Sequence, residues 1–223
     1  MGPAEIEAVS GASGDGSVVV VAAASAPEGE STFARWNRMG LQHYGDLRLP
    51  ARALPVRTRE DAQVVAHAEA VREASLIFFS GGNPEHLART LEGTALWSAV
   101  LAALARGAVF GGCSAGAMVA GTAQNSGPAR GRFRFQGGLG LFPTIVFGVH
   151  WDSRFMRVLR PTVIRHVPPG CRLIGISERT AILSEEGGWR VYGEGAVEVR
   201  DGPIRRTYRA GDVVPDGPVA ARP

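Results

Sequence analysis

A chain of 223 residues that is 45% hydrophobic and 20% charged has the apolar content of one folded domain and too few charges for a disordered one. No apolar run approaches the ~20 residues that cross a bilayer, and the start, MGPAEIEAVS, lacks the basic residues and apolar stretch of a secretion signal, so the expected location is cytoplasmic, with no membrane partner. The net charge is +3, and all 24 basic residues are arginines scattered without stacking aromatics, which argues against a nucleic-acid partner. Two cysteines, Cys113 and Cys171, are too few for a disulfide framework or a thiolate metal site; no metal or other cofactor is expected.

Taken in chain order, residues 17–24 (SVVVVAAA) read as a strand buried on both faces of a parallel sheet. An amphipathic helix carrying Phe33, Trp36, Met39 and Leu41 follows and ends near Gly45. Residues 47–56 form a strand that Pro50 and Pro55 place near an edge. A helix over 61–72 leads into an apolar strand over 75–79 that stops at Gly81 and Gly82. Helical sequence over 84–91 and 94–106 precedes a further strand at 108–110. Alternation of this kind predicts a parallel sheet covered by helices on both faces.

From 121 to 140 the composition turns to Gly, Gln, Asn, Ser and Arg and reads as a long surface loop; within it Arg130, Arg132 and Arg134 alternate with period two and share one face. Short strands follow at 144–150, 172–177, 181–183, 189–192 and 196–200, the last four predicting a small antiparallel edge. The expected organisation is one α/β domain over 1–200 and a weakly packed tail over 201–223.

The sharpest chemical signal is Gly112-Cys113-Ser114-Ala115-Gly116, a G-x-S-x-G pattern between an apolar strand and a helical run. A nucleophile raised on such a bend needs small neighbours, and the following helix aims its unpaired N–H groups at the reacting centre. Cys113 is a weaker candidate, because centring the pattern on it loses the second glycine; it reads as a small buried residue under the bend. A serine hydroxyl needs a base. His150, at the end of the apolar run 144–149, is best placed to supply one, whereas His43, His67, His86 and His166 lie on or beside helical stretches. Phe79-Ser80-Gly81-Gly82-Asn83-Pro84 ends a strand with two glycines and offers backbone N–H groups at Gly82 that complement those at Ala115.

These segments together resemble the peptidase S51 family, which includes cyanophycinase and the aspartyl dipeptidases. The resemblance is carried by Phe78-Phe79-Ser80-Gly81-Gly82-Asn83, Gly112-Cys113-Ser114-Ala115-Gly116-Ala117, Val149-His150-Trp151-Asp152-Ser153-Arg154, Ile174-Gly175-Ile176-Ser177-Glu178 with Thr180-Ala181, and Gly193-Glu194-Gly195-Ala196-Val197, in order. It implies a class I glutamine amidotransferase-like, flavodoxin-like, doubly wound α/β fold. It also implies a serine peptidase with Ser114 as nucleophile, His150 as general base, and Gly82 and Ala115 as oxyanion donors. The implied substrate is a small peptide with an aspartyl residue at the cleaved bond. Dimers are common in the family, and an exposed sheet edge favours a homodimer.

Two departures from the family pattern stand out. Family triads carry an Asp or Glu between serine and histidine, whereas the 35 residues from Ala115 to Val149 contain neither. The candidates for a third member are Asn125, with Gln124 and Gln136 as further amides, and the acids Asp152 and Glu178; Asp152 is expected to share a strand face with His150, and Glu178 is read first as structural. The alternative function left by this gap is a catalytically impaired homologue that binds a small ligand. An amidotransferase using Cys113 is a third reading. Related chains also begin with a strand and glycine-rich loop ahead of residues 3–24, and that strand is expected to be missing here: either the true start lies upstream of Met1, or the sheet lacks a member and exposes a neighbour.

Overall fold

Helix α1 (Gly2–Gly11) buries Ala4 and Val9 and precedes the valine run. Val18 to Val21 have no polar side chain to offer water, and all four are fully buried as strand β1 (Val18–Val21) in the computed structural model. The structure describes residues 2–129, 132–185 and 188–215, with side chains except at 3 and 125–134. By contact density the chain forms two compact units, one from Gly2 to Ala117 and the other from Met118 onward.

In the first unit, a short 3-10 turn (Ala23–Glu28) leads to α2 (Glu30–Asp46), then β2 (Ala51–Leu54), α3 (Val65–Arg72), β3 (Leu76–Phe79), α4 (Pro84–Leu91), α5 (Ala95–Ala105) and β4 (Val109–Gly112). The strands are parallel, in the order β2-β1-β3-β4, with Val18 opposite both Ala51 and Leu76 and with Leu76 opposite Val109. The proline-flanked β2 is an edge strand, since Pro cannot donate to a second ladder. Of the predicted apolar face of α2, Phe33 is buried, while Met39 and Leu41 are exposed; Tyr44 supplies the other buried contact. Val9, Val18, Val20, Tyr44 and Leu76 pack into one core cluster. Asn83 caps α4 by accepting from the His86 N–H (3.0 Å), with Pro84 in the first turn where its missing donor costs nothing.

Helix α6 (Ala115–Ala120) leads into the second unit. Here β5 (Ala123–Ala129) and β6 (Arg132–Gly137) pair antiparallel, so residues 123–129 and 132–137 of the expected surface loop over 121–140 are strand. The period-two alternation of its arginines was the signal; Arg130 and the side chains of Arg132 and Arg134 lie outside the described residues. Next come β7 (Ile145–Gly148), α7 (Arg154–His166) and β8 (Arg172–Ile176), with β7 and β8 parallel. They are followed by β9 (Thr180–Glu185), β10 (Gly188–Gly193), β11 (Ala196–Asp201), β12 (Ile204–Arg209) and β13 (Val213–Val214).

The predicted single antiparallel edge is divided between two sheets, β12-β11-β8-β7 and β13-β10-β9. The expected weak tail also differs: β12 pairs along its whole length with β11, and β13 buries Val214 against β10. Its arginines stay at the surface while the backbone ladder does the work, which mean side-chain polarity does not report. Ala123, Val146, Trp151, Val163 and Leu173 form the core beside β7 and β8.

Candidate active site

The parallel order of the first unit brings the carboxyl ends of β1, β3 and β4 to one rim, with the order reversing between β1 and β3. β4 ends at Gly112. The Cys113 N–H then donates to the Phe79 carbonyl (3.1 Å), and the Gly116 N–H donates back to the Cys113 carbonyl (2.9 Å), which closes a tight bend around Ser114. Ser114 has φ 49°, a left-handed conformation that costs a non-glycine residue about 1–2 kcal/mol. Such strain persists only where the surroundings fix it. They do so here. A carbon added at Gly112 would stand 2.6 Å from the Gly116 carbonyl carbon, and one at Gly116 would stand 2.8 Å from that of Phe79.

The turn after β3 lies against the same rim. Gly82, at φ 137°, passes so close to the Ala24–Ser25 peptide that an added carbon would stand 2.7 Å from the Ser25 nitrogen, and the Asn83 N–H donates to the Ala24 carbonyl (2.7 Å). Ala115 opens α6, so its N–H belongs to the first turn, where no intrahelical acceptor exists. Ser114, Ala115 and the Gly81–Gly82 turn thus belong to one rim of the first unit. Burial pushes the Cys113 thiol up, away from the thiolate form.

The second unit holds the other candidates. His150 follows β7 on a sharp turn with φ 52°, and its Nδ1 lies 3.2 Å from Oε1 of Glu178, with both side chains about half exposed. That turn is pinned from several sides. The Trp151 N–H donates to the Ile176 carbonyl (3.0 Å), and the Trp151 carbonyl accepts from Arg160 Nε (2.8 Å). The indole lies flat over β7 and β8, where a carbon at Gly148 or Gly175 would meet it at 2.8 and 2.5 Å, and the Arg160 guanidinium stands 5.0 Å from its ring. Ser153 donates its N–H to the His150 carbonyl (3.0 Å), and its hydroxyl caps α7 by accepting from Met156 (3.1 Å).

Asp152 does not share a strand with His150, because β7 ends at Gly148. Its Oδ1 instead accepts the Glu178 N–H (2.8 Å), tying the two turns together. Glu178, expected first as structural, is the acid set against the His150 ring. Gly148 pairs with Gly175, and two residues past the one and three past the other stand His150 and Glu178. This acid does not lie between serine and histidine in the chain; it follows the neighbouring parallel strand β8. Gln124 is buried in β5, and the side chain of Asn125 lies outside the described residues.

The other four histidines have local partners: His43 with Glu5 (2.8 Å), His67 with the Asp61 carbonyl (2.7 Å), His86 with the Arg57 carbonyl (2.7 Å) and His166 with the Thr162 carbonyl (2.8 Å). Among the described residues no three His, Cys, Asp or Glu side chains gather as metal ligands, and no helix is long and apolar enough to cross a membrane.

A parallel α/β sheet with a serine raised on the strand-to-helix bend at its carboxyl rim defines an α/β protein whose bend has the backbone form of a nucleophile elbow. The model of peptidase family S51 matches residues 14–192, and the chain belongs to that family. It is 29% identical over 178 residues to a cyanophycinase from Geminocystis herdmanii, covering 76% of this chain and 65% of that protein. A cyanophycinase from Trichormus variabilis is 30% identical over 164 residues, covering 70% and 54%. The chain therefore spans between about half and two thirds of the length of these curated relatives. The crystal structure of a peptidase from an acI-B1 Actinobacterium superposes with a TM-score of 0.86 at 29% identity, covering 96% of this chain and 89% of that one, which establishes the shared α/β fold.

Proposed function

We propose that this protein is a serine-type peptidase or amidohydrolase that cleaves a small peptide, with an aspartyl residue at the cleaved bond, through an acyl-enzyme on Ser114. His150 takes the proton from the Ser114 hydroxyl as Oγ attacks the amide carbonyl, and the N–H groups of Gly82 and Ala115 receive the charge that develops on its oxygen. His150 then gives the proton to the departing amine, and water, activated by the same ring, releases the acid. Glu178 holds the ring through Nδ1 and stabilises its cationic form, and Asp152 positions Glu178 by accepting its backbone N–H.

The observation that carries this reading is the left-handed backbone of Ser114 between two glycines that admit no side chain. Membership of family S51 and the likeness to two cyanophycinases support the peptidase class. The raised thiol of Cys113 speaks against an amidotransferase, and the carboxylate beside His150 speaks against a catalytically impaired homologue.

A fluorophosphonate probe tests the reading. Labelling that vanishes in Ser114→Ala and persists in Cys113→Ala is expected; folded protein that does not label refutes it. Dipeptides beginning with aspartate, including β-linked aspartyl-arginine, then test the substrate class.

A further inference from the structure

Trp36, on α2, is half-buried, and its benzo edge reaches the turn after β3. A carbon added at Gly81 would stand 3.2 Å from Trp36 Cη2, 3.3 Å from Trp36 Cζ2 and 3.3 Å from Ser114 Cβ. The indole edge and the Ser114 β-carbon thus both border the place that a side chain at Gly81 would take. At these distances an added carbon at Gly81 is tight, and a neighbour would have to give by a few tenths of an ångström. This place adjoins the reversal of strand order between β1 and β3, where open parallel sheets leave a crevice for ligands.

We propose that Trp36 is a specificity-determining wall of the acyl-group subsite in front of Ser114, and that with Gly81 it sets the size of acyl substituent the site accepts. The inference rests on Ser114 as the nucleophile. Oγ is one bond from Ser114 Cβ, so a substituent on the attacked carbon lies within a side chain's reach of the indole. Indole carries one N–H and no acceptor, and the part facing Ser114 is hydrocarbon, so this wall selects by shape. The slot takes a thin or short acyl substituent and excludes one that branches toward the turn. In such a pocket one methylene is worth roughly 10–200-fold in discrimination.

The test uses two fluorophosphonates, one with a methyl and one with a cyclohexyl group on phosphorus. In each, Ser114 Oγ forms a bond to phosphorus, the P–F bond breaks, fluoride leaves and the hydroxyl proton passes to the base. Inactivation rates are measured for the wild type and for Trp36→Ala, Trp36→Phe, Gly81→Ala and Ser114→Ala. Trp36→Ala is expected to raise the cyclohexyl-to-methyl rate ratio by about tenfold or more, Trp36→Phe to raise it less, and Gly81→Ala to lower it.

Should Trp36→Ala fail to fold, the opposite shifts in Trp36→Phe and Gly81→Ala still decide the matter. A ratio unchanged in these variants, with a wild type that labels, overturns the role of Trp36 alone. A wild type that does not label, or labelling that survives Ser114→Ala, overturns the nucleophile reading and this inference with it.

Discussion

Replacing Glu178 by Gln keeps the shape of the side chain and removes its charge from beside His150. At 3.2 Å, with both groups about half exposed, the attraction between a carboxylate and the imidazolium formed during reaction is about 1.3 kcal/mol at the dielectric of water, a factor of about ten in rate. A glutamine amide does further harm by offering an N–H to Nδ1. That selects the tautomer in which the outer nitrogen carries the proton and cannot accept one from serine, a change that costs about 10⁴ in kcat in the trypsin-type triad. The expected result for Glu178→Gln is a kcat lower by about 10²–10⁴, with KM within about threefold, measured on an aspartyl dipeptide and checked by the rate of fluorophosphonate labelling. Because exposed ion pairs contribute about 0–1 kcal/mol, unfolding by urea should shift little. A kcat within twofold of wild type, in a folded variant, removes Glu178 from the mechanism.

Three further outcomes follow from the same geometry. Ser114→Gly should be more stable than Ser114→Ala by about 0.5–1 kcal/mol in urea melts, because glycine relieves the left-handed strain at φ 49° while adding some freedom to the unfolded chain; the reverse order would contradict a strained bend. Gly116→Ala drives a carbon into the Phe79 backbone, which cannot swing aside, so it should cost about 3 kcal/mol and lower the Tm by about 6–12 °C; an unchanged Tm would mean the bend is looser than described. Asp61 accepts the N–H groups of Arg57 (2.9 Å) and Thr58 (3.0 Å), and the first of these bonds above all holds its carboxyl below the usual value. Its stabilisation is therefore present above the unfolded carboxylate range near pH ~4 and fades as pH falls through the lower folded value. Asp61→Ala should accordingly be about 1 kcal/mol less stable than wild type at pH 7, with the gap narrowing below about pH 4, as read by urea melts across pH.

Much of the first unit was readable from residue order alone. An unbroken valine run cannot sit at a water-facing edge, and Pro50 and Pro55 cannot sit in the middle of a sheet, so the positions of β1 and β2 follow from their chemistry. The bend at Ser114 was legible for the same reason, since small residues at 112 and 116 are what its neighbours require. The strand pair at 123–129 and 132–137 was not, because Gly, Asn and Arg carry weak strand preference and the pairing is made by backbone groups. The partner of His150 stood among several candidates and was read first as structural, for a topological reason. Parallel pairing sets residues 28 apart in the chain at one rim, and no spacing rule along the sequence reports that.

That rim has a consequence for tolerance to change. The excursion between β7 and β8 leaves from and returns to strands locked in register, and it is held by Trp151, Asp152 and Arg160 together with the apolar side of α7, where Val163 is buried. Kept as staples, these three leave the outward side of α7, with Phe155 and Val158 open to solvent, free to be rewritten by drift or by library selection. Surface novelty could accumulate there while the imidazole and its carboxylate keep their distance.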